Sequence, residues 1–171
     1  MEPAIAPQPA VVPAVPTAAP TAPDLELFSL VWSKDLPREH GFEPLEIEGK
    51  LPASLRGTLY RNGPGLFGQF GTRYSHPFEG DGAVTAIRLG DGRATGASKV
   101  HATAGLAEER AAGKLLYGLS APWWRRFTNG VRGKGKNTAN TNIVAWQGRL
   151  FALMEAAKPT ELDPRDLTTI G

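Results

Sequence analysis

Ala83-Val84-Thr85-Ala86-Ile87-Arg88-Leu89-Gly90-Asp91-Gly92-Arg93-Ala94-Thr95-Gly96-Ala97-Ser98-Lys99-Val100-His101-Ala102 decides the fold class. A turn-forming triplet, Gly90-Asp91-Gly92, separates two extended runs, so the segment reads as strand 83–89, turn, strand 94–102. A second hairpin has the same form: strand 142–146, the turn Gln147-Gly148, and a return over 149–155. Within that return, Leu150-Phe151-Ala152-Leu153-Met154 is apolar at every position, which predicts burial on both faces. In an antiparallel meander, burial on both faces implies sheets stacked on other sheets, as in the blades of a propeller. Residues 161–171 continue the rhythm of strand, polar turn and strand.

Upstream, residues 45–48 and 57–61 read as short strands, the second ended by the turn signal Asn62-Gly63-Pro64-Gly65. Residues 108–117 are the best helical candidate, with Glu108 and Glu109 early and Lys114 late, as the helix dipole prefers. Gly113 weakens that helix. The first 23 residues are mostly proline and alanine with one charge, Glu2, and read as a disordered or polyproline-like tail. Order is expected over 24–171, beginning with a short helix or extended arm at 24–32.

Composition narrows the function classes. The chain has 171 residues, 20 Gly, 15 Pro and a net charge of +2, too thin a margin to argue for a nucleic-acid partner. It has no cysteine, hence no disulfide, thiolate metal site or cysteine nucleophile. No apolar run approaches the ~20 residues that span a bilayer. A cytoplasmic protein is expected, with peripheral membrane contact as its nearest approach to lipid. Repeat propellers spend ~40–45 residues on each blade, so the ordered part supplies about three and cannot close a ring. The chain is expected to be part of a larger propeller.

Four motifs occur in order: Leu55-Arg56-Gly57-Thr58-Leu59-Tyr60-Arg61-Asn62-Gly63-Pro64-Gly65, His76-Pro77-Phe78-Glu79-Gly80-Asp81-Gly82, Lys136-Asn137-Thr138-Ala139-Asn140-Thr141-Asn142, and Leu153-Met154-Glu155 followed by Glu161-Leu162-Asp163-Pro164. Together they resemble the carotenoid cleavage oxygenases, over roughly residues 45–171. The resemblance implies an all-β fold, the N-terminal blades of a seven-bladed β-propeller. It implies a non-haem Fe(II) dioxygenase whose iron is held by four histidines, inserting O2 across a double bond of an apolar polyene or stilbene. The family's first iron histidine falls after the segment resembling 167–171, so all four ligands are expected downstream of Gly171. This chain alone is then expected to bind no metal and to be inactive. The competing reading is an inactive propeller remnant or interaction fragment.

One functional residue carries over by resemblance. Glu155 is expected to accept a hydrogen bond from the outer nitrogen of an iron histidine, fixing its tautomer; the apolar run 150–154 and Ala156-Ala157 suggest that it is buried. His76 reads as a turn histidine, and His40 and His101 as surface or strand-end residues. Glu79 and Asp81 offer too few oxygens for a hard cation and read as turn caps, with Arg56 and Arg61 as cross-strand partners for such acids. Asn137, Thr138, Asn140, Thr141 and Asn142 read as backbone-satisfying groups. Residues 130–137 have phosphate-loop spacing up to Lys136, but Asn137 stands where Ser or Thr must reach Mg²⁺; a mobile basic loop is expected instead. Trp123-Trp124-Arg125-Arg126-Phe127 has the composition of a membrane-interface patch. The alternative is a tryptophan pair packed on the propeller rim with arginine stacked on it.

Overall fold

The computed structural model describes residues 34–171. The tail expected over 1–23 and the arm expected over 24–32 lie outside the described residues. In chain order the elements are β1 (His40–Pro44), β2 (Gly57–Leu66), β3 (Gly68–Gln69), β4 (Thr72–Arg73), a 3-10 turn (Pro77–Glu79), β5 (Asp81–Gly90), β6 (Arg93–Val100), α1 (Ala104–Ala112), α2 (Trp123–Val131), β7 (Asn142–Trp146), β8 (Arg149–Leu153) and β9 (Thr160–Leu162).

Strands form a four-stranded sheet ordered β1-β6-β5-β2, a three-stranded sheet ordered β7-β8-β9, and the small pair β3-β4. All pairings are antiparallel. Both predicted hairpins are present, and each closes on two residues with left-handed backbone. Asp91 and Gly92 have φ of 52° and 70°, and Gln147 and Gly148 have 51° and 76°. Positive φ at both positions matches the twist of the flanking strands. The segment after β9 returns to it at the Leu162–Thr169 bridge.

The core lies where the two larger sheets meet. Val84 and Ala86 of β5 and Ala97 of β6 pack in one cluster with Ala139, with Leu150 and Ala152 of β8, and with Leu162 and Leu167. Three of these side chains are alanines from the first sheet's strands or the incoming loop, which lets the sheets approach closely. Strand β8 buries one face only: Leu150 and Ala152 are buried, while Phe151 and Leu153 are half-buried. The expected burial on both faces is therefore corrected. The Arg149 guanidinium covers the Phe151 ring at 4.8 Å instead.

Other boundaries differ from expectation for identifiable reasons. The first strand is 40–44, not 45–48, because β1 pairs with β6 and ends at a proline; Leu45 follows it and packs over Gly96, where there is no side chain. Asn62-Gly63-Pro64-Gly65 is not a turn. Strand β2 runs through it to Leu66, with a bulge between Pro64 and Leu66. As the sheet's edge strand, β2 tolerates a proline that a central strand would not, and Gly65 makes room for the Ala83 side chain. Helix α1 covers 104–112 rather than 108–117. Thr103 caps its start and Gly113, with φ of 63°, terminates it. The return strand of the second hairpin stops at Leu153. Among the described residues, no helix is long and apolar enough to cross a membrane.

Candidate functional site

A buried ion cluster sits where α1, the start of β5 and the segment entering β7 converge. The Lys136 ammonium lies 2.6 Å from Asp81 Oδ1 and 2.7 Å from Glu109 Oε2, with 8% of its side chain exposed and 1% of each acid. Tyr74 donates its hydroxyl to Asp81 Oδ2 at 2.7 Å. Gln69 donates to Tyr74 Oη and to Glu109 Oε2 at 3.0 and 3.3 Å. Glu109 also accepts from the Leu116 and Tyr117 amides through Oε1. Burial raises the Asp81 carboxyl above its usual range, against the lowering effect of Lys136. Burial and the neighbouring Asp81 charge push the Tyr74 phenol up. A saturated ammonium has no free lone pair, so Lys136 is a clamp and not a nucleophile. Its place corrects the expectation of a mobile basic loop, and Asp81 is an ion-pair partner where a turn cap was expected.

Beside the cluster is a cavity of about 210 Å³, walled by Phe78, Tyr117, Met154, Thr138, Glu79 and the Lys136–Glu109–Tyr74 group. Tyr117 is held by a hydrogen bond to Glu108, which with burial raises its phenol to about 12. Aromatic and thioether walls with neutralised charges at one end suit an apolar ligand.

A second junction holds the sheets together. Asn62 of β2 donates to the carbonyls of Ala139 and Asn142 at 2.8 and 3.0 Å, while its oxygen contacts His101 Nε2 at 2.7 Å. The expected backbone-satisfying roles are present at Asn137, Asn140, Thr141 and Asn142 but not at Thr138, whose buried hydroxyl has no hydrogen-bond partner among the described residues. Asn140 donates to Phe78 and Gly80, Asn137 to Lys158, and Thr141 to Leu153. Glu79 accepts from Ser75, Leu119 and Ser120, and Arg56 pairs with Asp91.

The three histidines stand apart. His40 Nδ1 faces the Gly41 carbonyl at 2.9 Å. His76 accepts from the Phe78 amide at 3.2 Å and caps the 3-10 turn. His101 is 1% exposed, not a surface residue, and burial lowers its pKa to about 4. Among the described residues, no group of three or more His, Cys, Asp or Glu is placed to hold a metal ion. These imidazoles do not fit the four-histidine iron cage that the resemblance implies. Glu155 lies in the turn after β8, exposed, where the apolar run had suggested burial. Strand β8 ends two residues before it, and the turn closes through the Ala157 amide on the Met154 carbonyl. Its neighbour Met154 faces the cavity. Trp123, Trp124, Arg125, Arg126 and Phe127 open α2, which has no buried residue.

The ion cluster was missed because its members come from separate elements, each unremarkable alone. The available signal was Gly80-Asp81-Gly82, an acid between two residues that permit close backbone approach.

His101 makes stability depend on pH. It is neutral in the fold and takes a proton more readily when unfolded, so its contribution is complete above about 6.5 and is lost as pH falls toward about 4. The shift corresponds to about 3 kcal/mol. Chemical denaturation at neutral pH and near pH 4 should show the stability difference between the wild type and His101→Gln moving against the wild type by that order. An unchanged difference would refute it.

Comparison with known proteins places this architecture. The family model described as Retinal pigment epithelial membrane protein matches residues 34–171. The chain is 45% identical over 142 residues to apocarotenoid-15,15'-oxygenase of Synechocystis, covering 79% of this chain and 28% of that protein. It is 36% identical over 132 residues to resveratrol cleavage oxygenase 1 of Chaetomium globosum, covering 75% and 22%. A crystal structure of cobalt-substituted Synechocystis apocarotenoid oxygenase superposes with a TM-score of 0.73 at 42% identity, over 83% of this chain and 30% of that one. The chain thus spans less than a third of the length of these relatives. From its motifs, its sheets and these matches, the chain belongs to the Retinal pigment epithelial membrane protein family, that of the carotenoid cleavage oxygenases.

Proposed function

We propose that this chain is the N-terminal portion of a non-haem Fe(II) dioxygenase that cleaves a double bond of a carotenoid or apocarotenoid. The observation that carries this reading is the 45% identity to an apocarotenoid-15,15'-oxygenase. The two sheets correspond to early blades of a seven-bladed β-propeller, and the four histidine ligands belong to polypeptide beyond Gly171. Iron supplies the activation of O2, whose two atoms end in two carbonyl products. This chain's contribution is scaffold, part of an apolar substrate-facing wall (Phe78, Tyr117 and Met154), and one carboxylate. Glu155, exposed in the present structure, is covered by the later blades and accepts a hydrogen bond from an iron-bound imidazole. The Trp123–Phe127 patch on α2 meets the membrane peripherally, where polyenes dissolve.

Two other readings have support. The relative that cleaves resveratrol favours a stilbene as substrate. An inactive remnant that binds no metal fits the scattered histidines as well as ligands on later blades do.

The full-length protein encoded by the extended reading frame decides among them. It should bind one equivalent of iron and incorporate both atoms of labelled O2 into paired aldehydes from an apocarotenoid. Cleavage of stilbenes alone changes the substrate, and absence of iron supports the remnant. Glu155→Gln should weaken iron affinity or turnover ~10–100-fold. Unchanged values for both would remove Glu155 from the iron's surroundings.

A further inference from the structure

Residues 113–135 leave the fold at the end of α1 and return at Lys136. They wall one side of the cavity of about 210 Å³ with Tyr117, Gly118 and Gly135, while Phe78, Glu79 and Met154 wall the other. Glycines stand at both ends of this excursion, and Gly113 and Gly133 have φ of 63° and 61°. The excursion meets the opposite wall at Gly118, where a Cβ would run into the Glu79 carboxylate.

Its two attachments differ in kind. At the roots, Lys136 is clamped between Asp81 and Glu109, each acid 1% exposed, and Glu109 also accepts from the Leu116 and Tyr117 amides. Parting charges buried that deeply is costly, so the roots stay. Across the cavity the tie is the Glu79 carboxylate. It accepts from the Leu119 and Ser120 amides and the Ser120 hydroxyl of the excursion, and from the Ser75 amide on its own side. Ser75 also donates its amide to Ser120 Oγ at 2.8 Å. Every donor is neutral and Glu79 is only half-buried, so water can take each place as the tie parts. The post itself is fixed. Buried Asn140 donates to the Phe78 and Gly80 carbonyls on either side of Glu79, at 3.0 and 2.7 Å. A permanent root, glycine hinges and a releasable tie on the far side of a cavity are the parts of a lid.

We propose that residues 113–135 are a lid on this cavity, that Glu79 latches it shut, and that release of the latch admits the apolar ligand. The proposal rests on the reading of Phe78, Tyr117 and Met154 as a substrate-facing wall and adds how that wall opens. It gives Glu79 a role beyond the turn in which it sits.

The test is a distance measurement on the full chain. It has no cysteine, so spin labels attach only at Arg126→Cys on α2 and Arg93→Cys beside the first hairpin turn, both exposed. Double electron–electron resonance should show one dominant separation in the labelled parent. Glu79→Gln replaces one acceptor oxygen with a donor that faces other donors, and should raise the population at other separations about tenfold or more. Gly118→Ala, which disturbs the latch from the lid's side, should do the same. Gly130→Ala, with nothing within 4 Å of its Cβ position, should not. Circular dichroism should show the strands retained in all three. Hydrogen peroxide reads the cavity: Met154, half-buried in its wall, should form sulfoxide faster in both latch variants. Separations unchanged in both would overturn the latch. Wider separations with Met154 oxidation unchanged would overturn the lid's place over the cavity. Neither readout involves iron or turnover, so failure here is distinct from failure of the dioxygenase reading.

Discussion

Lys136→Met is expected to destabilise the fold by about 3–5 kcal/mol at neutral pH, the range for removing one partner of a buried ion pair. The substitution keeps the aliphatic stem and deletes only the ammonium. Asp81 and Glu109 would then face each other's charge, both 1% exposed, without the cation now 2.6 and 2.7 Å away. Protonation of Asp81, whose carboxyl burial raises, relieves part of the penalty, so the loss should shrink as pH falls through its raised range. Adding Asp81→Asn and Glu109→Gln should restore most of the stability, since buried amides carry no charge. Chemical denaturation of the single and triple variants measures both effects, and soluble yield reports the single variant should it fail to fold. A single variant within 1 kcal/mol of the wild type would show that the cluster does not hold these elements together.

Gly82→Ala is the second large effect. Gly82 donates its amide to the Thr138 carbonyl at 2.7 Å, in the backbone contact that brings β5 against the segment entering β7. A Cβ there would lie 2.6 Å from the Thr138 oxygen, 2.7 Å from the Ala139 carbonyl carbon and closer still to the Ala139 oxygen. All three are backbone atoms, which cannot rotate away as a side chain would. Overpacking ordinarily costs ~1–3 kcal/mol, occasionally more; this site should reach the upper end or exceed it. Gly90→Ala is the matched control, because nothing lies within 4 Å of its Cβ position. Thermal melting should show a large drop for the first and a small change for the second. Equal shifts would mean that the sheets separate at no cost.

The sequence disclosed what is local. Both hairpins were legible because Asp91-Gly92 and Gln147-Gly148 specify the left-handed turns that close them. The family was legible because its motifs are contiguous. Features set by distant partners were not. Pro64 reads as a turn residue until β2 is known to be an edge strand. Lys136 reads as one base among glycines, because its acids lie 27 and 55 residues away. His101 carries no mark of burial, since Asn62, 39 residues upstream, supplies its partner. Glu155 shows the reverse error. An apolar neighbourhood suggested a buried carboxylate, but the strand stopped short and left it exposed. The composition of α2 was readable, while its outward orientation was not, because that depends on Asn129 reaching the Leu116 carbonyl.

Glu109 and Lys136, 2.7 Å apart, are the roots of everything between them, α2 included. An excursion soldered at its base can lengthen, shorten or change composition without shifting either sheet. Descendants of this chain are therefore at liberty to redraw the exposed residues of 122–134 for new surroundings, while a substitution at either root is felt throughout the scaffold.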